Sequence, residues 1–204
     1  MSDASPSPAL NIGVLLYHEV SELESVSTYS VLKTAELILD DVERLRVFTV
    51  AKARNSVQTS GGLTITPLYA FASVPDTHVL VVPGGSGVDK VMRDKTVMSY
   101  LRSVGGSQKI LASVSSGALL IGKLGFLRNQ VATTHPALLE RLEDFEILRV
   151  SQDRLVKNKQ VWCAGAGLAG VDLGLELLRH FFNEDLVARV AKRLAIETVQ
   201  PALF

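Results

Sequence analysis

Cysteine is nearly missing from this chain, which contains 204 residues and a single cysteine, Cys163. A disulfide bond within the chain is therefore impossible, which fits a reducing compartment, and we expect a cytoplasmic protein. The histidines, the cysteine and the acidic residues also lack the spacing of metal ligands. We therefore expect neither a metal nor another cofactor.

An excess of charge of either sign is also lacking, since 21 basic residues balance 21 acidic residues. No run of Lys and Arg forms a nucleic-acid footprint, and no apolar run reaches membrane-spanning length. Neither a nucleic acid nor a membrane is therefore expected as a partner. Residues 1–8 are polar and interrupted by proline, unlike a signal peptide, and we expect a flexible tail over residues 1–10.

Apolar runs of strand length alternate with segments of helical periodicity along the rest of the chain. The strand-like segments are residues 11–17, 45–51, 78–82, 109–112 and 130–134, with hairpins over 55–66 and 154–164. The helical segments are 29–39, 88–104, 118–124, 137–142, 171–182 and 185–196. This alternation predicts one α/β domain over residues 11–204, a sandwich with a mainly parallel, flavodoxin-like sheet.

Small residues surround Ser115, where an apolar strand breaks directly into a helix. Ser113 and Gly117 stand where a larger side chain would crowd a tight turn. A nucleophile elbow has this strand–turn–helix layout, with the central oxygen over the strand end and helix N–H groups facing a developing negative charge. The alternative is that Ser115 or Ser116 only caps the following helix.

Ligands of open α/β sheets bind at the carboxyl ends of the strands, and this rule joins several distant loops. It brings residues 17–24 and 83–87 close to 115–117, and it adds the loops at His135 and Gly165. Residues 83–87 are rich in glycine, but they lack the spacing of a dinucleotide site and the lysine of a P-loop. A small molecule other than a nucleotide is therefore the expected ligand.

Five short motifs occur in a recognisable order along the chain. They are Gly13 to Tyr17 with Leu23 and Glu24 beyond, Val81 to Gly85, Ala112 to Ala118, Ala132 to His135, and Ala166 to Asp172. In these motifs the chain resembles the ThiJ/PfpI superfamily of glutamine-amidotransferase-like proteins, and within it the isocyanide hydratases and the amidase-like domains of some transcription regulators. The resemblance covers residues 11–195, and it implies a homodimer.

The resemblance also implies roles for particular residues. The family's elbow cysteine, within Val-Cys-Thr-Gly, falls on Ser115, and its acid/base aspartate falls on Glu24. Backbone N–H groups around Gly85 and Ser116 would stabilise an oxyanion. Because Glu24 and the residues after it also depart from the family pattern, the serine is interpreted as natural divergence. The other residues expected to bind the small molecule are Gly84, Gly117 and Thr134.

Serine at the elbow changes the expected chemistry. A thiol near a helix N-terminus ionises readily, whereas a serine hydroxyl is a far weaker acid and needs a positioned general base. The first hypothesis is hydration or hydrolysis of a small molecule, with Glu24 as acid/base and Ser115 as nucleophile or orienting group. The second is a binding or sensor protein without catalysis. The third is a serine hydrolase in which His135 is the base of Ser115.

Overall fold

The computed structural model describes residues 10–41, 44–107 and 109–196. Its strands are β1 (Leu10–Leu15), β2 (Leu45–Ala51), β3 (Val57–Gln58), β4 (Thr64–Ile65), β5 (Tyr69–Ala70), β6 (Val79–Val82), β7 (Ile110–Val114), β8 (Val131–Ala132), β9 (Arg149–Val150), β10 (Leu155–Lys157) and β11 (Val161–Ala164). Its α-helices are α1 (Glu22–Leu39), α2 (Val88–Val91), α3 (Lys95–Gly105), α4 (Gly117–Lys123), α5 (Leu139–Glu143), α6 (Ala169–Phe181) and α7 (Glu184–Arg193), and a 3-10 turn covers Pro136–Leu138.

Seven strands form the central sheet, in the order β10-β11-β7-β6-β1-β2-β5. β10 pairs with β11 in the antiparallel direction, whereas the other neighbours in this sheet are parallel. The strands β2-β1-β6-β7-β11 follow the order of flavodoxin-like sheets. The prediction of an α/β fold with a mainly parallel sheet is therefore confirmed.

Both faces of the central sheet are buried under helices, which explains the continuous apolar runs of its strands. Along β6, Leu80 and Val82 belong to one hydrophobic cluster, while Val79 and Val81 belong to the other. The first cluster includes residues of α2 to α5, and the second includes residues of α1, α6 and α7. A sheet packed on both faces therefore supports the loops at its carboxyl edge.

The first helix starts earlier than its apolar spacing predicts. α1 begins at Glu22, whereas the pattern placed its start at residue 29. Ser21 is the N-cap, and its side chain accepts a hydrogen bond from Glu24 N. Acidic residues in the first turn stabilise a helix through its dipole, so the acidic stretch expected as a loop is a helix N-terminus. As a result, Glu24 lies on a regular element.

The segment predicted as one helix over residues 88–104 is divided into α2 and α3. Asp94 lies at the break, where its carboxylate accepts hydrogen bonds from Thr96 N and Val97 N. These bonds satisfy the first N–H groups of α3, which therefore begins as a new helix.

Other differences concern the ends of segments. The predicted strand 130–134 is shortened to β8, which pairs with β9 outside the central sheet. Leu10, placed in the tail by the sequence pattern, is the first residue of β1, while residues 1–9 and 197–204 lie outside the described residues. Within the described part of the chain, no helix combines the length and the apolar character needed to cross a membrane.

Candidate active site

The backbone turns sharply at Ser115, between the end of β7 and the start of α4. Ser115 has a φ of 55°, in the left-handed region that a non-glycine residue adopts at a cost of about 1–3 kcal/mol. Its N–H donates to Ala164 O at 2.9 Å, and its carbonyl accepts from Thr134 Oγ1 at 2.8 Å. Two neighbouring segments therefore hold this buried, strained residue in place.

Two glycines let the strand ends approach each other. A Cβ atom on Gly117 would overlap the carbonyl oxygen of Val82, at the end of β6. A Cβ atom on Gly84 would overlap Ser116 Oγ and lie 2.7 Å from Glu24 Oε2. The loop after β6, the elbow and α1 can therefore meet only where these positions carry no side chain.

Glu24 projects from the first turn of α1 into this cluster and is 8% exposed. Its Oε2 atom accepts a hydrogen bond from Gly84 N at 2.7 Å, and its carboxyl group lies close enough to the Ser115 side chain for that side chain to lower its pKa. Burial raises the pKa of Glu24, and the Ser115 side chain and the bond from Gly84 offset part of that rise. A carboxyl with a raised pKa exchanges its proton closer to neutral pH, as an acid/base catalyst must.

Tyr17 is a member of the site that the sequence analysis did not single out. It is buried, and its hydroxyl donates to Pro83 O at 2.8 Å. Burial raises the pKa of Tyr17, and the negative charge of nearby Glu24 raises it further. The phenol therefore stays neutral and anchors the loop that supplies Gly84. Its one sequence signal is its place at the end of the apolar run that forms β1.

The N–H groups of the loop after β6 that could stabilise an oxyanion have partners within the protein. Gly85 N donates to Ser116 Oγ at 3.0 Å, and Gly84 N is bonded to Glu24. A ligand oxygen could reach Gly85 N only after rotation of the Ser116 side chain. The arrangement therefore favours chemistry led by the carboxyl group over a preformed oxyanion site.

His135 is placed differently from the other candidates. It is exposed, and its Nδ1 accepts a hydrogen bond from Ala137 N at 3.1 Å, which caps the 3-10 turn. Among the described residues, no hydrogen bond joins His135 to Ser115 or Glu24. Hydrogen bonds and close packing do bring together the other predicted residues, which are Glu24, Gly84, Gly85, Ser115, Ser116, Gly117 and Thr134.

A cavity of about 440 Å³ is lined by Thr134, whose hydroxyl donates to Ser115 O, whereas Ser115 and Glu24 themselves do not line it. Its wall is mixed, with Leu139 and Ala166 as apolar members and Asp153 and Arg154 as charged members. The volume is within the range of small-molecule sites. No group of three or more His, Cys, Asp or Glu side chains arranged to hold a metal ion occurs among the residues that the structure describes.

The raised pKa of Glu24 predicts a specific pH dependence of stability. The folded state binds this proton more tightly than the unfolded chain does. The stabilisation that results is fully present below the ordinary glutamate pKa of 4.5, and it is lost as the pH rises through the raised pKa of Glu24. Glutamine cannot ionise and keeps an oxygen for Gly84 N. We therefore expect the free energy of unfolding of Glu24→Gln to increase relative to that of the wild type as the pH rises from the ordinary value of 4.5 through the raised pKa of Glu24. Urea titrations at several pH values measure this difference, and a constant difference would contradict the assignment.

Comparison with known proteins gives the chain a set of relatives. The DJ-1/PfpI family profile matches residues 11–180. The isonitrile hydratase of Pseudomonas putida is 32% identical over 193 residues, which cover 95% of this chain and 81% of that protein. The HTH-type transcriptional regulator GbdR of Pseudomonas aeruginosa is 22% identical, and the chain matches 52% of it, about half its length.

Solved structures show the same fold. A THiJ/PfpI family protein from Pseudomonas syringae superposes with a TM-score of 0.85 at 23% identity, covering 98% of this chain and 84% of that chain. DJ-1beta of Drosophila melanogaster superposes with a TM-score of 0.81 at 20% identity, covering 92% of this chain and 98% of that chain. At these identities the structures support the fold alone.

Proposed function

Because the chain belongs to the DJ-1/PfpI family, we propose that it adds water to a small isonitrile-type molecule bound beside Glu24 and Ser115. The observation that carries the proposal is the buried Glu24 carboxyl, bound by Gly84 N and placed beside the elbow. The substrate class is supported by the 32% identity to a protein named isonitrile hydratase.

Glu24 can carry both proton transfers of such a reaction. In its protonated form it gives a proton to the terminal carbon of the isonitrile, and the resulting carboxylate then takes a proton from the water that attacks the same carbon. The C–O bond formed in this way gives an imidic acid, which tautomerises to the formamide. Glu24 is protonated again at the end, so the sum of the reaction is the addition of one water molecule. The raised pKa favours this role because the buried carboxyl holds its proton more readily than an exposed glutamate does.

Ser115 acts in this proposal by orienting the carboxyl group. Its side chain lowers the pKa of Glu24, and no hydrogen bond joins it to a histidine among the described residues. A serine without a strong base is a poor nucleophile. We expect Ser115→Ala to lower kcat/KM about tenfold. The rate of formamide formation from benzyl isonitrile, followed by NMR, measures the loss.

A fluorophosphonate probe separates this mechanism from a serine hydrolase. We expect intact-mass analysis to show the same mass pattern for the wild type and for Ser115→Ala. The probe should not react with Ser115, because among the described residues no histidine is placed to activate it. An adduct that depends on Ser115 would instead support the hydrolase hypothesis and contradict an orienting role.

A binding or sensor function without turnover is the second candidate. It is favoured by the serine in place of a thiol, and by the internal hydrogen bonds that occupy Gly84 N and Gly85 N. In that case benzyl isonitrile would bind without forming the formamide. Measurable turnover that depends on Glu24 would end this alternative.

A further inference from the structure

A second cavity, of about 390 Å³, opens at the carboxyl ends of β1 and β2, beside α2 and α3. We propose that it binds a small amphipathic monoanion, a molecule with an apolar body and one carboxylate. Its apolar wall is formed by Leu16, Ala51, Val57, Val91 and Val97. The volume lies within the usual range of small-molecule sites.

This cavity is separate from the candidate active site. Neither Glu24 nor Ser115 lines it, whereas Tyr17 does. The Tyr17 hydroxyl donates to Pro83 O, next to the Gly84 N–H that binds Glu24. Tyr17 therefore stands between the two sites, and an occupant of the cavity would pack against the residue that anchors the loop after β6.

The apolar wall fits a hydrocarbon body. Leu16, Val91 and Val97 are core residues that are 2%, 6% and 4% exposed, so their side chains are already fixed by packing. A ligand that enters between them buries apolar surface against the protein, which stabilises the complex by about 25 cal/mol per Å². The wall does not first have to become ordered.

The charges at the cavity favour an anion. The charged side chains that line it are Lys52, Lys90 and Asp94, two basic groups against one acidic group, and His18 also lines it. Lys52 Nζ lies 2.9 Å from Asp94 Oδ2, and Lys90 Nζ lies 2.7 Å from the carboxylate of Glu19, which is outside the lining.

These ion pairs leave the lysines able to bind a further anion. The side chains of Lys52 and Lys90 are 56% and 69% exposed, and exposed ion pairs contribute little because water screens them. Asp94 also accepts hydrogen bonds from the N-terminal N–H groups of α3, which compensate part of its charge. A carboxylate at the rim would therefore have two exposed ammonium groups within reach above an apolar wall.

Three probes with one chain length test the proposal. Titration calorimetry and ligand-detected NMR would compare octanoate, octanol and octylamine on the full chain. We expect octanoate to bind at one site, at least about tenfold more tightly than octylamine, with octanol between them. Lys52→Glu should weaken octanoate at least about tenfold, whereas Lys123→Glu, an exposed lysine outside the lining, should leave the affinity unchanged.

The controls keep the result interpretable. Thermal melts of both lysine variants show whether each is folded before its affinity is compared. Glu24→Gln should keep full octanoate affinity, which makes failure of this proposal distinguishable from failure of the proposed hydration. Equal affinity for octanoate and octylamine, equal effects of the two lysine substitutions, loss of binding in Glu24→Gln, or no saturable binding would each overturn the assignment.

Discussion

Replacing Glu24 by glutamine should lower kcat/KM for isonitrile hydration at least about 100-fold. Glutamine has nearly the same shape, and its oxygen can still accept from Gly84 N. It can neither donate nor accept a proton in the reaction. The substitution therefore removes the chemistry and leaves the packing, and formamide formation from benzyl isonitrile measures the loss.

Glu22 offers the matched control for this experiment. It lies in the same first turn of α1, and its Oε2 accepts a hydrogen bond from Gly61 N at 3.0 Å. Glu22→Gln makes the same change of charge beside a backbone N–H, outside the contact with Ser115. We expect its kcat/KM to stay within about twofold of the wild type. Equal losses in the two variants would show that the helix charge, and not the Glu24 proton, controls the rate.

The second large effect is expected from Gly117→Ala. The added methyl group would overlap the carbonyl oxygen of Val82. Because that oxygen belongs to the backbone and a Cβ atom is attached directly to it, neither can rotate away, and α4 must move away from β6. Overpacking of this kind costs about 3 kcal/mol. For a chain of this size that corresponds to a decrease in Tm of roughly 6–12 °C. The single tryptophan, Trp162, is buried and reports unfolding by fluorescence.

Gly106→Ala provides the comparison at a permissive position. Gly106 is the C-cap of α3 with a φ of −73°, and a Cβ there would lie 3.2 Å from Arg102 O. We expect a change within about 1 kcal/mol, since alanine adopts this backbone conformation easily. If Gly117→Ala and Gly106→Ala have the same Tm, the close approach of α4 and β6 does not restrict the side chain at position 117.

Sequence reasoning located most of the candidate site because strand ends and small residues leave clear local signals. The rule for parallel sheets and the family resemblance together pair Ser115 with Glu24, and the structure places the Glu24 carboxyl at Gly84, beside Ser116 of the elbow. His135 could not be assigned in this way. Its ring accepts a hydrogen bond from Ala137 N, and a position directly before Pro136 is more typical of such a capping histidine than of a catalytic base.

The parts that sequence missed depend on contacts between distant segments. The N-terminal half of α1 contains Ser and Thr residues of low helix propensity, so its periodicity looks weak. Thr28 Oγ1 donates to Gly170 O at 2.9 Å, which shows how packing against α6 supports this half. The cavity beside Tyr17 was invisible for the same reason, because its lining extends from Leu16 to Val97.

The outer strands of the central sheet bear on how copies of the chain can associate. β5 has two residues at one edge, and β10 has three at the other and ends in Lys157. An edge this short exposes few unpaired N–H and C=O groups to template a strand of another molecule, and a lysine there disfavours such pairing further. Continuation of the sheet from copy to copy, the usual start of strand-mediated aggregation, is therefore disfavoured. A homodimer of the kind expected from the family resemblance would therefore be expected to use surfaces other than the edges of the central sheet.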